Sequence, residues 1–136
     1  MENKQPVCIQ GHIDMVCVAE KGHTIDFDND PIDVYVDGDF VKARGTTLGA
    51  DNGIAIAMGM ALLQSTDIPH PYIELLCTLD EEIGLVGANG LAEDLLTSKL
   101  LINIDSEDEG VFTIGCAGGI NTIAHIKYTN GQIPNG

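Results

Sequence analysis

Four short segments of this 136-residue chain carry residue types that bind and use metal ions: Gly11-His12-Ile13-Asp14, Gly49-Ala50-Asp51-Asn52, Asp80-Glu81-Glu82 and Ile104-Asp105. Each stands just past an apolar, strand-like run or at the head of an apolar helix. Open α/β sheets collect their sites at the carboxyl ends of the strands, so ligands distant in sequence but sharing that address converge in space. Carboxylates gathered so closely repel one another unless cations sit between them. One His with several Asp and Glu is an oxygen-rich set that suits paired zinc, manganese or cobalt, whereas a closed structural zinc site would favour Cys. The chemistry indicated is two-metal hydrolysis.

Each motif also has a plainer reading. In His12-Ile13-Asp14 the strand period puts both side chains on one face, so Asp14 can accept a hydrogen bond from the imidazole while the other ring nitrogen binds metal. A His-x-Asp pair can equally be an ordinary loop contact. Asp51 suits a helix N-cap, or a carboxylate bridging two metals about 3.5 to 4 Å apart. Asp80-Glu81-Glu82 can be a solvated acidic loop, or a pair of adjacent glutamates of which one binds metal and the other holds the attacking water. Asp105 ends an apolar strand, while Glu107, Asp108 and Glu109 read as solvated charge.

The elements that must position these residues follow from periodicity and turn chemistry. Pro6 opens the apolar run Val7-Cys8-Ile9, a buried strand that delivers His12 into a loop, and the polar stretch from Ala19 to Asp33 continues that loop. Asp37-Gly38 between Val34-Tyr35-Val36 and Phe40-Val41-Lys42-Ala43 predicts a hairpin over about 33–43 with a type I′ turn. Ile54, Ala57, Met58, Ala61 and Leu62 recur at helical spacing from Gly53 to Leu63, with Asp51 or Asn52 as N-cap, and the lack of charge implies burial against a sheet. Tyr72 to Leu79 is the next strand; a short helical stretch through Leu91 to Leu96 precedes a strand from Leu100 to Ile104. Val111 to Ile114 and the alternating run Ile120 to Tyr128 read as further strands. Strand and helix in alternation place the chain in the α/β class.

Bulk properties narrow the partners. The chain is long enough for one domain with a core, and 44% hydrophobic composition argues against disorder. A net charge of -15 with six Lys and Arg disfavours nucleic acid and anionic membranes and leaves divalent cations as the fitting small partners. Cys8, Cys17, Cys77 and Cys116 form no C-x-x-C pair and read as buried reduced thiols. No stretch approaches the roughly 18 apolar residues of a membrane helix and the N-terminus has no apolar signal region, which implies a cytoplasmic location.

Gly-His-Ile-Asp-Met-Val, Val-Lys-Ala-Arg-Gly-Thr-Thr-Leu-Gly-Ala-Asp-Asn-Gly-Ile, Glu-Leu-Leu-Cys-Thr-Leu-Asp-Glu-Glu-Ile-Gly-Leu-Val-Gly-Ala, Ile-Asp-Ser-Glu-Asp-Glu-Gly and Gly-Cys-Ala-Gly-Gly occur in unbroken order from about Pro6 to Gly119. Together they closely resemble the bacterial aminoacyl-histidine (Xaa-His) dipeptidases, also called cytosol non-specific dipeptidases, a di-zinc metallopeptidase family. The resemblance implies that His12 and Asp105 bind one metal, Glu82 the other, and that Asp51 bridges them. It makes Glu81 the general base and Asp14 the partner that orients His12, and it implies a cis peptide at Asp51-Asn52.

The same resemblance implies the three-layer sheet-and-helix catalytic domain of a zinc-dependent exopeptidase over 1–118 and the start of a lid and dimerisation domain over 119–136. In the family a second metal-binding His comes from far downstream; His23, His70 and His125 lie outside any matched ligand motif. The expectation is therefore the central part of a catalytic domain, inactive by itself, from an enzyme that binds two zinc ions per subunit (manganese or cobalt possible), cleaves short peptides and forms a homodimer. A tripeptidase or N-acyl amino acid deacetylase would share the same ligand-type residues, and a non-catalytic cation-binding module would share the acidic surface.

Overall fold

The computed structural model describes residues 4–106, 108, 110–115, 118–120, 122–129 and 131. Its elements run β1 (Val7–His12), β2 (Val34–Asp37), β3 (Phe40–Ala43), α1 (Ala50–Gln64), β4 (Ile73–Thr78), α2 (Val86–Asn89) and β5 (Leu100–Asn103). β1, β4 and β5 form a parallel sheet in the order β4-β1-β5, and β2 and β3 pair as a separate antiparallel hairpin. The α/β class expected from the sequence is the one the chain adopts. Among the described residues no helix is long and apolar enough to cross a membrane.

The central position of β1 explains its burial: paired on both edges, it buries Cys8 and Ile9 completely or nearly so. Its apolar run stops at Ile9, yet the strand continues to His12. Pairing with β4 runs on through Gly11↔Cys77 and His12↔Thr78, and polar Gln10 is satisfied across the sheet by Thr78 and Asn103. His12 therefore ends a strand rather than standing in a loop. That burial also pushes the Cys8 thiol up.

α1 packs on β1 and β4 through Asn52, Ala55 and Gly59, the residues of one helical stripe that are buried. Small residues are required there. A side chain at Gly59 would run into Leu75, and one at Gly11 would run into Asn52 and Ala55. The rest of the helix surface is not covered: Ile54, Met58 and Met60 on its other sides are exposed. The expectation of a helix buried against a sheet holds for one face only.

Other local expectations are corrected. The hairpin is present, but Asp37 pairs with Phe40, which makes Gly38-Asp39 the two-residue turn. Of these only Gly38 has positive φ, at 61°, the pattern of type II′ with glycine first rather than type I′. The helical stretch expected over Leu91 to Leu96 is absent; a single helical turn forms at Val86–Asn89 instead, where the 80–87 backbone folds onto itself through Val86 N–H to Asp80 O and Gly87 N–H to Leu79 O, both 3.0 Å. β5 is formed but exposed. Val111–Ile114 and the described residues of 120–128 form no strand: among the described residues no strand pairs with them, and Phe112, Ile114 and Ile120 are almost fully exposed. Cys17 and Cys77 are exposed free thiols rather than buried ones; Cys116, Glu107 and Glu109 lie outside the described residues.

A carboxylate ties the approach to β5 onto β4. Glu74 accepts hydrogen bonds from Ser98 N–H at 2.7 Å and from the Thr97 N–H and hydroxyl at 3.0 Å each. Hydrogen bonding from Ser98 and then Thr97 pulls its pKa from 4.5 down to about 2. A depressed folded-state pKa stabilises the fold in full above the ordinary value and is lost as pH falls through the folded one. Thermal melts of Glu74→Gln should therefore show a flatter loss of stability between pH 4.5 and about 2 than the parent. Parallel acid limbs in the two proteins would show that this bond network does not couple to folding.

Candidate metal centre

The carboxyl ends of the three parallel strands bring their following residues to one end of the sheet. β1 ends on His12 itself. β4 is followed by Asp80, whose left-handed backbone (φ 55°), a conformation Asp tolerates better than most residues, turns the chain into Glu81 and Glu82. β5 is followed by Ile104 and Asp105. From the opposite direction α1 begins at the same place, with left-handed Gly49 (φ 81°) as its N-cap residue and Gly53 N–H bonding to Gly49 O at 3.1 Å.

Neither Asp51 nor Asn52 is the expected N-cap. Both have non-helical backbone angles, and no side chain caps the helix. The peptide bond between them is cis, as the resemblance implies. Asp51 is thus free to aim at His12, and Asn52 turns inward to a buried position.

His12 has almost no solvent exposure and both of its ring nitrogens are engaged. Nδ1 lies 3.0 Å from the Asp14 backbone carbonyl, which can only accept, so Nδ1 carries a proton and donates it. Nε2 then faces Asp51 Oδ1 at 3.1 Å, Asp105 Oδ1 at 3.8 Å and Glu81 Oε2 at 4.0 Å. A neutral imidazole would point a lone pair at three carboxylates. That arrangement calls for positive charge, either a proton on Nε2 or a cation between the groups.

The proton affinities follow from the same crowding. Burial pushes the His12 imidazole down, but the Asp14 carbonyl and the carboxylates of Asp105, Asp14 and Glu81 outweigh it and hold the pKa above its ordinary value. Burial raises Glu81; His12 pulls it back, and Asp105, Glu82 and Asp14 push it up again. Asp105 is raised by burial and by Asp51, against the opposing pull of His12. Asp14 moves the other way: burial would raise it, but the backbone N–H groups of Glu81 and Glu82, its own N–H and then His12 lower it. Its Oδ2 accepts from Glu82 N–H at 3.2 Å, while its buried Oδ1 has no hydrogen-bond partner and lies 3.4 Å from His12 Nδ1.

Two sets of side chains among the described residues have donor atoms mutually within 4.8 Å and could hold a metal ion: His12, Asp51 and Asp105, and His12, Glu81 and Glu82. Imidazole with carboxylates fits a divalent cation of the zinc or manganese kind. His12 is common to both sets, whereas the resemblance makes Asp51 the shared ligand; Asp51 and Glu82 both line a cleft of about 270 Å³ walled by Met15, Val16 and Leu48.

All six residues singled out from the sequence therefore meet at one end of the sheet. One detail differs: the nearer partner of His12 Nδ1 is the Asp14 main-chain carbonyl, with the carboxylate behind it. His23 lies beside Gly45 and His70 Nδ1 bonds to Pro71 O, and neither belongs to the two ligand sets. What sequence reasoning missed is Asn52, whose side chain bonds to the His12 N–H and to the Ile104 carbonyl. A polar residue opening an otherwise apolar helix was the available signal.

The sequence profile described as peptidase family M20/M25/M40 matches residues 8–129. The cytosol non-specific dipeptidase of Escherichia coli (strain K12) is 46% identical over 136 residues, which is all of this chain and 28% of that protein. An uncharacterized protein, YqjE, of Bacillus subtilis (strain 168) is 36% identical over 76 residues, covering 53% of this chain and 20% of its own length. The crystal structure of aminoacylhistidine dipeptidase from Vibrio alginolyticus superposes with a TM-score of 0.76 at 52% identity, over 81% of this chain and 22% of the other.

Because Asp51 caps nothing, replacing it separates metal binding from helix stability. Asp51→Asn removes one of the mutually repelling carboxylates and no cap, so the melting temperature of the metal-free protein should not fall below that of the parent. Zinc affinity by calorimetry should fall by at least the about 10-fold typical of losing even an outer-shell partner of a ligand. Unchanged affinity would remove Asp51 from the metal centre.

Proposed function

This chain belongs to peptidase family M20/M25/M40, and from that membership we propose that it supplies metal ligands and the general base of a dipeptidase. The observation that carries the proposal is the convergence of His12, Asp51, Asp105, Glu81 and Glu82 at the ends of three parallel strands. The chain spans 28% of the Escherichia coli relative, so the activity is proposed for the protein that carries these residues. Residues 1–118 are assigned to its catalytic domain and 119–136 to the start of a lid and dimerisation domain. A cytosolic homodimer acting on aminoacyl-histidine or other dipeptides is the state proposed for it.

His12, Asp51 and Asp105 would hold one zinc ion, with Glu82 serving a second and Asp51 shared between them. When bound, the metal pair supplies Lewis acidity that activates water at neutral pH and polarises the scissile carbonyl. Asp14 keeps the ring of His12 oriented through its main-chain carbonyl, so that Nε2 stays turned toward Asp51 and Asp105. Glu81 accepts a proton from the attacking water and returns it to the leaving amine. One water and one peptide bond become a carboxylate and an amine. The apolar cleft of Met15, Val16 and Leu48 beside Asp51 and Glu82 offers room for a substrate side chain.

Glu81→Gln tests the division of labour. In the protein with both metals loaded, turnover of an aminoacyl-histidine dipeptide should fall about 10²-fold to 10⁴-fold, the usual consequence of losing a general base. Metal stoichiometry should be unchanged. Near-normal turnover, or loss of metal, would give Glu81 a different role, and a parent that cleaves only tripeptides or N-acyl amino acids would reassign the substrate.

A further inference from the structure

The pairing of β1 with β5 stops one rung short of where the chains themselves would carry it. Asn103 pairs with Gln10, and Ile104 N–H bonds to Gln10 O at 3.1 Å. In a parallel ladder the following bond would run from His12 N–H to Ile104 O. It is not made directly. The Asn52 carboxamide stands between the two groups, its Oδ1 accepting from His12 N–H at 3.1 Å and its Nδ2 donating to Ile104 O. On the other edge of β1 nothing intervenes, and Ile13 N–H bonds straight to Thr78 O at 3.0 Å.

We propose that Asn52 is a positioning residue that wedges one amide-sized spacer into the β1–β5 ladder and so sets the gap between His12 and Asp105 into which Asp51 projects. The inference rests on the metal-binding reading of that cluster. A side-chain amide offers the same donor and acceptor as a peptide group, so both strand ends remain satisfied while being held apart. Asn52 is only 3% exposed, and among the described residues its carboxamide bonds to these two groups alone. The absent side chain at Gly11 is what leaves room for it, since a Cβ there would meet Asn52 Oδ1. The wedge and the ligand are adjacent in sequence. The turn that sends Asp51 toward His12 Nε2 therefore also delivers the spacer that opens its seat.

The choice of amide matters more than its size. Aspartate has the same shape but presents no donor to the Ile104 carbonyl and adds a sixth carboxylate to Asp14, Asp51, Glu81, Glu82 and Asp105. Alanine has neither group, and the freed His12 N–H and Ile104 C=O can then complete the missing rung. Either change would bring the ends of β1 and β5 to a spacing unsuited to a shared ion.

The test uses the protein that carries these residues, with zinc as the probe measured by calorimetry, beside crystal structures of the metal-free variants. Asn52→Ala and Asn52→Asp should each weaken zinc binding about 10-fold to 100-fold, the range for partners that orient metal ligands. Asn52→Ala should also show His12 N–H bonded directly to Ile104 O. Asn103→Ala, which removes the Gln10 side-chain bond between the same two strands, controls for general loosening and should bind zinc within about threefold of the parent. Asn52 variants that bind as the parent does, a control that loses as much as they do, or a rung that stays open in Asn52→Ala would each overturn the wedge. If the parent itself binds no zinc, the metal reading fails with it, and a closed rung in Asn52→Ala would then show a purely structural spacer.

Discussion

Mutual repulsion among carboxylates packed around one buried imidazole is the constraint that the rest of this structure answers. Asp51, Asp105 and Glu81 approach His12 Nε2 within 4.0 Å, and Asp14 approaches Nδ1 from the other side. Such a cluster is unfavourable unless each charge is offset. Asp14 is compensated by main-chain N–H groups, whereas Glu81 and Asp105 respond by holding their protons more tightly than usual. A divalent cation would relieve what the protein alone leaves unrelieved.

The scaffold bears this strain because it divides the work between rungs and small side chains. β1 is locked on both edges, so His12 cannot retreat, and the left-handed turn at Asp80 fixes where Glu81 and Glu82 leave β4. α1 reaches the sheet closely only because Gly11, Ala55 and Gly59 leave room. A bulkier residue at any of the three would lift the helix, and Asp51 and Asn52 with it.

The candidate site was far more legible in the sequence than the outer parts of the fold, for a physical reason. Ligand chemistry restricts residue identity, so His12, Asp51, Glu82 and Asp105 stand out even without knowledge of their contacts. The apolar runs of β1, β4 and β5 were legible too, since short continuous apolar runs suit strands of a parallel sheet, although only β1 is well buried here. Val111–Ile114 and 120–128 carry strand-like patterns, yet their described residues form no strand, because strand preference is expressed only against a partner. Asn52 escaped notice because an Asn before a helix serves equally well as a cap, and only the ladder geometry tells the two roles apart.

Cys8, Ile9 and Ala55 are the buried apolar side chains among the described residues, which is little core to set against a cluster of like charges. The acidic end of the sheet is therefore where this part of the protein loses stability, and it is also where an ion would bind. A ligand that binds only the folded state stabilises it by about 2.7 kcal/mol at a hundredfold excess over its dissociation constant. That is a large share of what a marginal domain possesses. Metal binding and the ordering of the strand ends would then be one equilibrium: the carboxylates that make the metal-free fold costly are those whose burden an ion would remove, so affinity for the cation would be drawn from the same repulsion that the proposed β1–β5 gap holds in place.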